Sequence, residues 1–191
     1  MAKLTSVADI CTVAEQLRRS VPSGSFLSKI SIWKGDITKL CVDSIANAAD
    51  EALLGGGGVD GAIHQAAGPQ LLEACRALHG CKTGQAKLTR GFNLPAKYVI
   101  HTVGPIGEHA DLLASAYRES LNVAHQNGVR TIAFPCISTG VFGYPTDAAC
   151  TVVLRTVKLW LDAHEGAIDR VIFCMFNQKS VEAYADQAAK Y

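Results

Sequence analysis

An excess of charge of either sign is what this sequence most plainly lacks. Among 191 residues, 18 Lys and Arg face 17 Asp and Glu, for a net charge of +1. That balance excludes the polybasic footprint of a nucleic-acid binder, and no direct nucleic-acid contact is expected. No apolar run approaches the roughly 20 residues that a membrane span needs. A secretory h-region is missing as well, because Asp9, Glu15, Arg18 and Arg19 interrupt the N-terminal stretch. That stretch is amphipathic, so a mitochondrial leader stays open, though its acids count against one; a cytoplasmic or nuclear location is expected. Seven cysteines are scattered with no Cys-x-x-Cys among them, which argues against a disulfide framework and a zinc site alike. Reduced, mostly buried thiols follow, and no cysteine sits in a loop beside a histidine as a nucleophile would. No His, Cys and carboxylate residues recur at metal-ligand spacing, so neither metal nor cofactor is expected. Internal repeats and low-complexity segments are absent.

What is present is a chain that is 49% hydrophobic and of ordinary single-domain length. It is organised around Leu54-Gly55-Gly56-Gly57-Gly58-Val59-Asp60-Gly61-Ala62-Ile63-His64. Four consecutive glycines let the backbone reach φ > 0 and let a ligand approach closely. The residues that follow have a helical period: Val59, Ile63 and Ala66 or Ala67 share a face, and Asp60 and His64, four apart, share another. A glycine loop running into a helix start presents free N–H groups and a positive dipole end, a site for phosphate. The plain alternative is a mobile surface loop. Gly56, Gly58 and Gly61 formally fit the dinucleotide fingerprint, but no carboxylate occurs in Leu78 to Thr83, where the ribose would need one. A Walker loop needs Gly-Lys-Ser/Thr, and here Val59-Asp60 follows Gly58. An anion cradle with a carboxylate beside it suits hydrolysis better than phosphoryl transfer.

Apolar periodicity at Leu4, Val7, Cys11, Ala14 and Leu17 predicts a helix from Leu4 to Arg19, ended by Pro22 to Ser25. Lys29 to Trp33 alternates as a strand. Asp36, in the turn Gly35 to Thr38, reads either as a helix N-cap or as an acceptor for an amino group such as adenine N6. A short strand over Cys41 to Asn47 ends in Asn47-Ala48-Ala49-Asp50, which either turns the chain or joins the site. Helices are predicted from Pro69 to Leu78, Asp111 to Gln126, Thr146 to His164 and Val181 to Lys190. Strands are predicted over Ala86 to Phe92, Tyr98 to Val103, Thr131 to Phe134 and Arg170 to Phe176. His101, inside its strand, reads as a hydrogen-bonded core histidine. A second Ser/Thr/Gly-rich loop, Pro135 to Pro145, again precedes a helix. Phe142 and Tyr144 in it offer flat surfaces to a sugar or base, or simply plug the fold. Two such loops at strand C-termini can converge on one crevice, and two anion cradles suit a diphosphate. Alternating strands and helices imply a largely parallel sheet covered on both faces.

With these loops placed, the sequence resembles the macrodomain family, MacroD-type class. The resemblance rests on Gly35 to Thr38, Asn47 to Ala49, Leu54 to His64, Thr83 to Ala86, Ile100 to Pro105 and Ser138 to Gly143, in family order, over about Ile30 to Phe176. It implies a three-layer α/β/α macrodomain over residues 29–191, with a mixed, largely parallel central sheet. Residues 1–28 would add an N-terminal helical extension packed on the domain. The resemblance also implies binding of ADP-ribose, hydrolysis of ADP-ribose esters on protein Asp and Glu side chains, and deacetylation of O-acetyl-ADP-ribose. Free ADP-ribose and ADP-ribosylated proteins would be the partners, a monomer is expected, and the class requires no metal. By carry-over, Asp36 would hold the adenine amino group and Ile37 the ring, with Phe176 and Asn177 at its border. Asn47 would join the ligand site. The backbone of Gly57, Gly58 and Val59, and of Ser138, Thr139, Gly140, Val141 and Phe142, would cradle the phosphates, with Phe142 on the distal ribose. Asp60 would position or activate the water, and His64 would orient Asp60 or line the site.

Two features complicate that assignment. Asp60 in the first helical turn should feel a dipole that lowers its pKa, while bound phosphates push the other way; the balance stays open. The family motif usually reads Asn-Ala-Ala-Asn, and here its fourth residue is Asp50, which when ionised accepts but cannot donate. Asp50 is therefore a candidate catalytic residue and a reason to expect slow turnover. An ADP-ribosyl hydrolase and a non-catalytic ADP-ribose reader are both compatible with the sequence.

Overall fold

Strands and helices alternate along residues 3–191, the part of the chain that the computed structural model describes. The order is β1 (Thr5–Ser6), α1 (Val13–Gln16), α2 (Phe26–Lys29), β2 (Ile30–Lys34), β3 (Leu40–Cys41) and β4 (Ser44–Ala48). Then come α3 (Gly58–Ala67), α4 (Pro69–Ala77), β5 (Ala86–Arg90), β6 (Tyr98–Thr102) and α5 (Ala110–Gln126). The chain closes with β7 (Thr131–Phe134), α6 (Thr146–Ala163), β8 (Arg170–Met175) and α7 (Gln178–Ala188). Six strands form one sheet in the order β2-β8-β7-β4-β6-β5. Every pairing in it is parallel except β5 with β6. The sheet is therefore mixed and largely parallel, as expected.

The period of two along a strand decides which residues face which helices. Val171, Phe173 and Met175 of β8 join a core with residues of α1, α2, α5, α6 and α7. Ile172 and Cys174, one step along, join a second core with Ile63 and Ala67 of α3 and Leu71 and Cys75 of α4. Two helical layers thus sandwich the sheet. The strand order reverses between β4 and β7: from β4 the chain moves toward β5 and β6, and from β7 toward β8. The helices after these two strands, α3 and α6, lie on opposite faces, which opens a crevice between their connecting loops. Both loops singled out by their glycines enter that crevice from strand C-termini.

The N-terminal segment departs from its predicted form. No single helix runs from Leu4 to Arg19; the segment is β1, a 3-10 turn at Val7–Asp9, and the one-turn helix α1. The reason is local. Ser6 with Asp9, and Thr12 with Glu15, each close a capping box, so the helix starts twice instead of continuing. Between them Ile10 is extended, and β1 pairs with β3. The buried set shifts accordingly to Ile10, Val13 and Ala14, while Leu4 and Cys11 are exposed. The segment still packs on the domain: Phe26 and Leu27 enter the larger core, and Gln16 Nε2 donates to the Ile32 carbonyl. At the other terminus α7 starts three residues before the predicted Val181, because the Asn177 side chain accepts from Ser180 N–H and caps it.

Candidate functional site

A cavity of about 800 Å³ opens at the crevice. It is lined by Asp36 and Ile37 after β2, Gly58 and Val59 at the start of α3, Thr139 and Gly140 after β7, and Phe176 and Asn177 after β8. Each arrives there for a local reason. Asp36 caps the short turn after β2: its Oδ1 accepts from Thr38 N–H at 2.9 Å and from Thr38 Oγ1 at 2.7 Å. The N-cap reading of Asp36 thus holds, and its second oxygen stays uncommitted among the described residues. Gly35 before it leaves room for the Trp33 ring, which a Cβ there would have to displace. Phe176 is 93% exposed at the end of β8, a bare ring at the cavity rim. Tyr144, by contrast, is buried in the core, so of the two loop aromatics it is the plug.

Gly57 and Gly58 precede and open α3, whose first N–H groups have no intrahelical acceptor. A Cβ at Gly57, Gly58 or Gly140 would meet nothing within 4 Å, so these backbones border open space. The facing loop is braced at both ends. Tyr144 N–H donates to the Ser138 carbonyl at 3.0 Å and Gly107 N–H to that of Phe142 at 2.7 Å. Ser138 has φ 65°, a strained value for a residue with a Cβ. Its hydroxyl is buried without a partner among the described residues. Gly104 makes room for it: a Cβ there would lie 2.1 Å from Ser138 Oγ. Between the braces, the N–H groups of residues 138–142 bond to no other backbone carbonyl among the described residues. Two sets of unspent donors face each other across the crevice, an arrangement built for a polyanion. Val141 is fully exposed and Phe142 half-buried on this loop.

The predicted catalytic group does not line this cavity. Asp60 is only 6% exposed, beneath the glycine loop. Its Oδ1 accepts from Asn47 Nδ2 at 2.7 Å and lies 3.4 Å from His64 Nε2. Its Oδ2 sits where a Cβ on Gly56 would come within 3.3 Å. Burial, which strips the carboxylate of water, raises its pKa; the Asn47 bond and His64 oppose the rise, and the charge of Asp50 adds to it. Desolvation thus outweighs the Asn47 bond and His64, a contribution that position in the helix alone does not show. His64 faces a second groove, of about 480 Å³, with Gly55, Gln65 and Leu72. Asn47 is fully buried and reaches the site through Asp60 rather than through open space. Asp50 is exposed, with Oδ1 accepting from the N–H groups of Ala52 and Leu53, so it shapes the turn into the glycine loop.

His101 is the hydrogen-bonded core histidine the sequence suggested; Cys75 beside it was not anticipated. His101 meets Asn47, Thr89 and Cys75. His64, Cys75 and His101 each place a ligand-type atom within 4.8 Å of the others, a spacing that could suit a soft cation. Both ring nitrogens of His101 already have partners, however. Burial also pushes the Cys75 thiol up to about 11, so it stays protonated at neutral pH. The group reads as polar core.

The macro domain family model matches residues 46–153, spanning both loops. A macro domain-containing protein of Ralstonia nicotianae is 58% identical over 79% of this chain and 89% of its own length. The ADP-ribose glycohydrolase MACROD2 of Xenopus laevis is 57% identical over 84% of this chain. The chain spans only about two fifths of that relative and of its human counterpart, 40% and 39%. Among solved structures, the Trypanosoma brucei macrodomain in complex with ADP-ribose superposes with a TM-score of 0.91 at 41% identity, covering 98% of this chain and 78% of that one.

Proposed function

This chain belongs to the macro domain family, and on that premise we propose that it binds ADP-ribose and hydrolyses ADP-ribose esters on protein Asp and Glu side chains. The observation that carries the reading is the pair of opposed donor loops at the β4–β7 crevice, with a carboxylate acceptor at one end and a buried carboxylate–imidazole pair behind the other. The relatives named for ADP-ribose hydrolysis and the ADP-ribose complex of a similar structure support it. Asp36 accepts from the adenine amino group through its free oxygen, and Ile37 and Phe176 flank the ring. The backbone donors of Gly57 to Val59 and of Ser138 to Phe142 take the diphosphate. The distal ribose then extends past Phe142 toward the glycine loop. Water adds, the carrier carboxylate leaves, and ADP-ribose and a free Asp or Glu side chain result. Asp60, with its raised pKa, is a stronger base than a solvated carboxylate, and His64 orients it. O-acetyl-ADP-ribose, an ester on the same framework, is a second substrate on this reading, and one chain carries every group required.

A second reading, an ADP-ribose reader without turnover, is favoured by the burial of Asp60 and by Asp50 in place of the usual Asn. Single-turnover release of ADP-ribose from a glutamate-linked, ADP-ribosylated protein decides between them. Release that persists in EDTA supports the hydrolase; binding without release supports the reader. The ligand itself is tested with Asp36→Asn. This change keeps an oxygen for the Thr38 bonds but turns a donor toward the adenine amino group. Calorimetry should show affinity for ADP-ribose lower by about 1–3 kcal/mol at unchanged Tm. Undiminished binding would move the base elsewhere.

A further inference from the structure

We propose that His101 is a positioning residue for the reaction: through the amide of Asn47 it fixes the carboxylate of Asp60, along a buried line from Thr89 on β5 to α3. The proposal rests on the reading of Asp60 as the group that handles the water. The sheet register builds the line. Asn47 on β4 pairs directly with His101 on β6. Thr89 on β5 pairs with Val99, two residues before His101, and so shares its face. Asn47 and His101 are fully buried, and Thr89 nearly so.

Proton counting sets the direction of every bond. Asn47 Nδ2 lies 2.7 Å from Asp60 Oδ1 and 3.1 Å from His101 Nδ1. An amide nitrogen has two hydrogens, so one goes to each. His101 must then accept at Nδ1, which leaves its proton on Nε2, 2.9 Å from Thr89 Oγ1. The ring can accept only while neutral. Burial, with help from nearby His64, pushes its pKa down to about 3, so it is neutral throughout the working range. Reversing the Asn47 amide would set its oxygen against the Asp60 carboxylate and against the His101 lone pair. Removing the His101 acceptor leaves a buried N–H unpaired, and the amide loses one of the two partners that hold its orientation. Asn47 Oδ1, buried without a partner among the described residues, offers no compensation. His101 touches neither cavity and acts only through Asn47.

The test uses the whole chain and three variants. Thr89→Val is nearly isosteric and removes the hydroxyl partner of Nε2, leaving only the weaker Cys75 Sγ at 3.5 Å. His101→Asn supplies an amide oxygen close to the position of Nδ1. His101→Leu supplies nothing. Long-range 1H–15N correlation spectra of histidine-labelled protein should show His101 as the neutral Nε2–H tautomer, with its Nε2 resonance shifted in Thr89→Val as the hydroxyl bond is lost. A neutral Nδ1–H form in the unaltered chain overturns the proposal. In single-turnover ester cleavage, Thr89→Val and His101→Leu should lose about tenfold or more in rate, as small misplacements do. ADP-ribose Kd should hold within about twofold, and His101→Asn should recover most of the rate. Equal losses in Asn and Leu variants, or an affinity that falls in step with the rate, would mean a structural role only. Should the unaltered chain bind ADP-ribose yet cleave nothing, the hydrolase reading fails, and carboxyl titration of Asp60 decides the positioning. Loss of the Asn47 donor should then raise the Asp60 midpoint in His101→Leu, with Asp50 and His64 still facing it; an unmoved midpoint sinks the proposal. Thr89→Val keeps each comparison available if the His101 variants do not fold.

Discussion

Asp60 carries a conflict between burial and charge that sets two opposite consequences. Its pKa is raised mainly by desolvation, so ester cleavage that needs the carboxylate should fall off with acid at a higher pH than a solvated Asp would give. The stability sign is the reverse. The folded chain holds this proton more tightly than the unfolded chain does, so above the unfolded value the ionised group costs stability. Asp60→Asn removes that cost. Turnover should disappear while Tm at pH 7 rises by a few degrees, about 2–4 °C per kcal/mol for a chain of this size. The gain should vanish as pH falls below the ordinary value near 3.8. A lowered Tm at pH 7 would show that the charge is stabilised by contacts stronger than those of Asn47 and His64. Asp50 bears on the same group from outside. Asp50→Asn keeps an oxygen for the Ala52 and Leu53 N–H groups, gains a donor, and removes one charge that raises the Asp60 pKa. Single-turnover release should quicken about tenfold, equivalent to about 1.4 kcal/mol, and its acid limb should move to lower pH. An Asn form no faster than the original would show that Asp50 is compatible with full rate.

At the scale of the element, the start of α3 separates glycines needed by the fold from glycines needed by a ligand. Gly61 belongs to the first kind: a Cβ there would lie 2.5 Å from the Gly56 carbonyl oxygen, so Gly61→Ala should destabilise the loop outright. Gly57 belongs to the second. Its φ is −96°, open to any residue, and its added Cβ would meet nothing. Gly57→Val should therefore change stability by less than about 0.5 kcal/mol, within the range of ordinary surface substitutions. ADP-ribose affinity should nonetheless fall at least tenfold, because the new side chain fills the space of the phosphate. Melting curves with and without ligand read both quantities. A Tm shift in the free protein, or undisturbed binding, would refute this division.

For the whole molecule, the N-terminal segment is wall rather than appendage. Val13, Phe26 and Leu27 are at most 7% exposed and enter the core shared with α5, α6 and α7. Arg19 Nη2 reaches the Ala189 carbonyl and Arg170 Nη1 that of Ile10, tying the segment to the end of α7 and to β8. Each large buried apolar side chain contributes about 1.5–3 kcal/mol, against a total stability of about 5–15 kcal/mol for most domains. Removal of residues 1–28 should lower Tm by more than about 10 °C or leave the rest insoluble. A truncated chain that melts with the intact one would make the segment dispensable.

Sequence alone determined the strand and helix series, the three layers and the two loops, because these follow from short-range signals. Apolar period separates helix from strand, glycine and proline mark the turns, and a strand C-terminus followed by a glycine-rich helix start is an anion site wherever it folds. The same local reading failed at Leu4 to Arg19, where two capping boxes outweighed the apolar period. Only the tertiary structure decided which polar groups meet. Asn47 and His101 stand 54 residues apart and become neighbours through the β4–β6 register. A period of two shows which face a side chain takes but not whom it touches there. The upward shift of Asp60 was beyond reach for the same reason: the helix dipole is a local property of its position, whereas the desolvation that raises its pKa comes from what the fold packs around it.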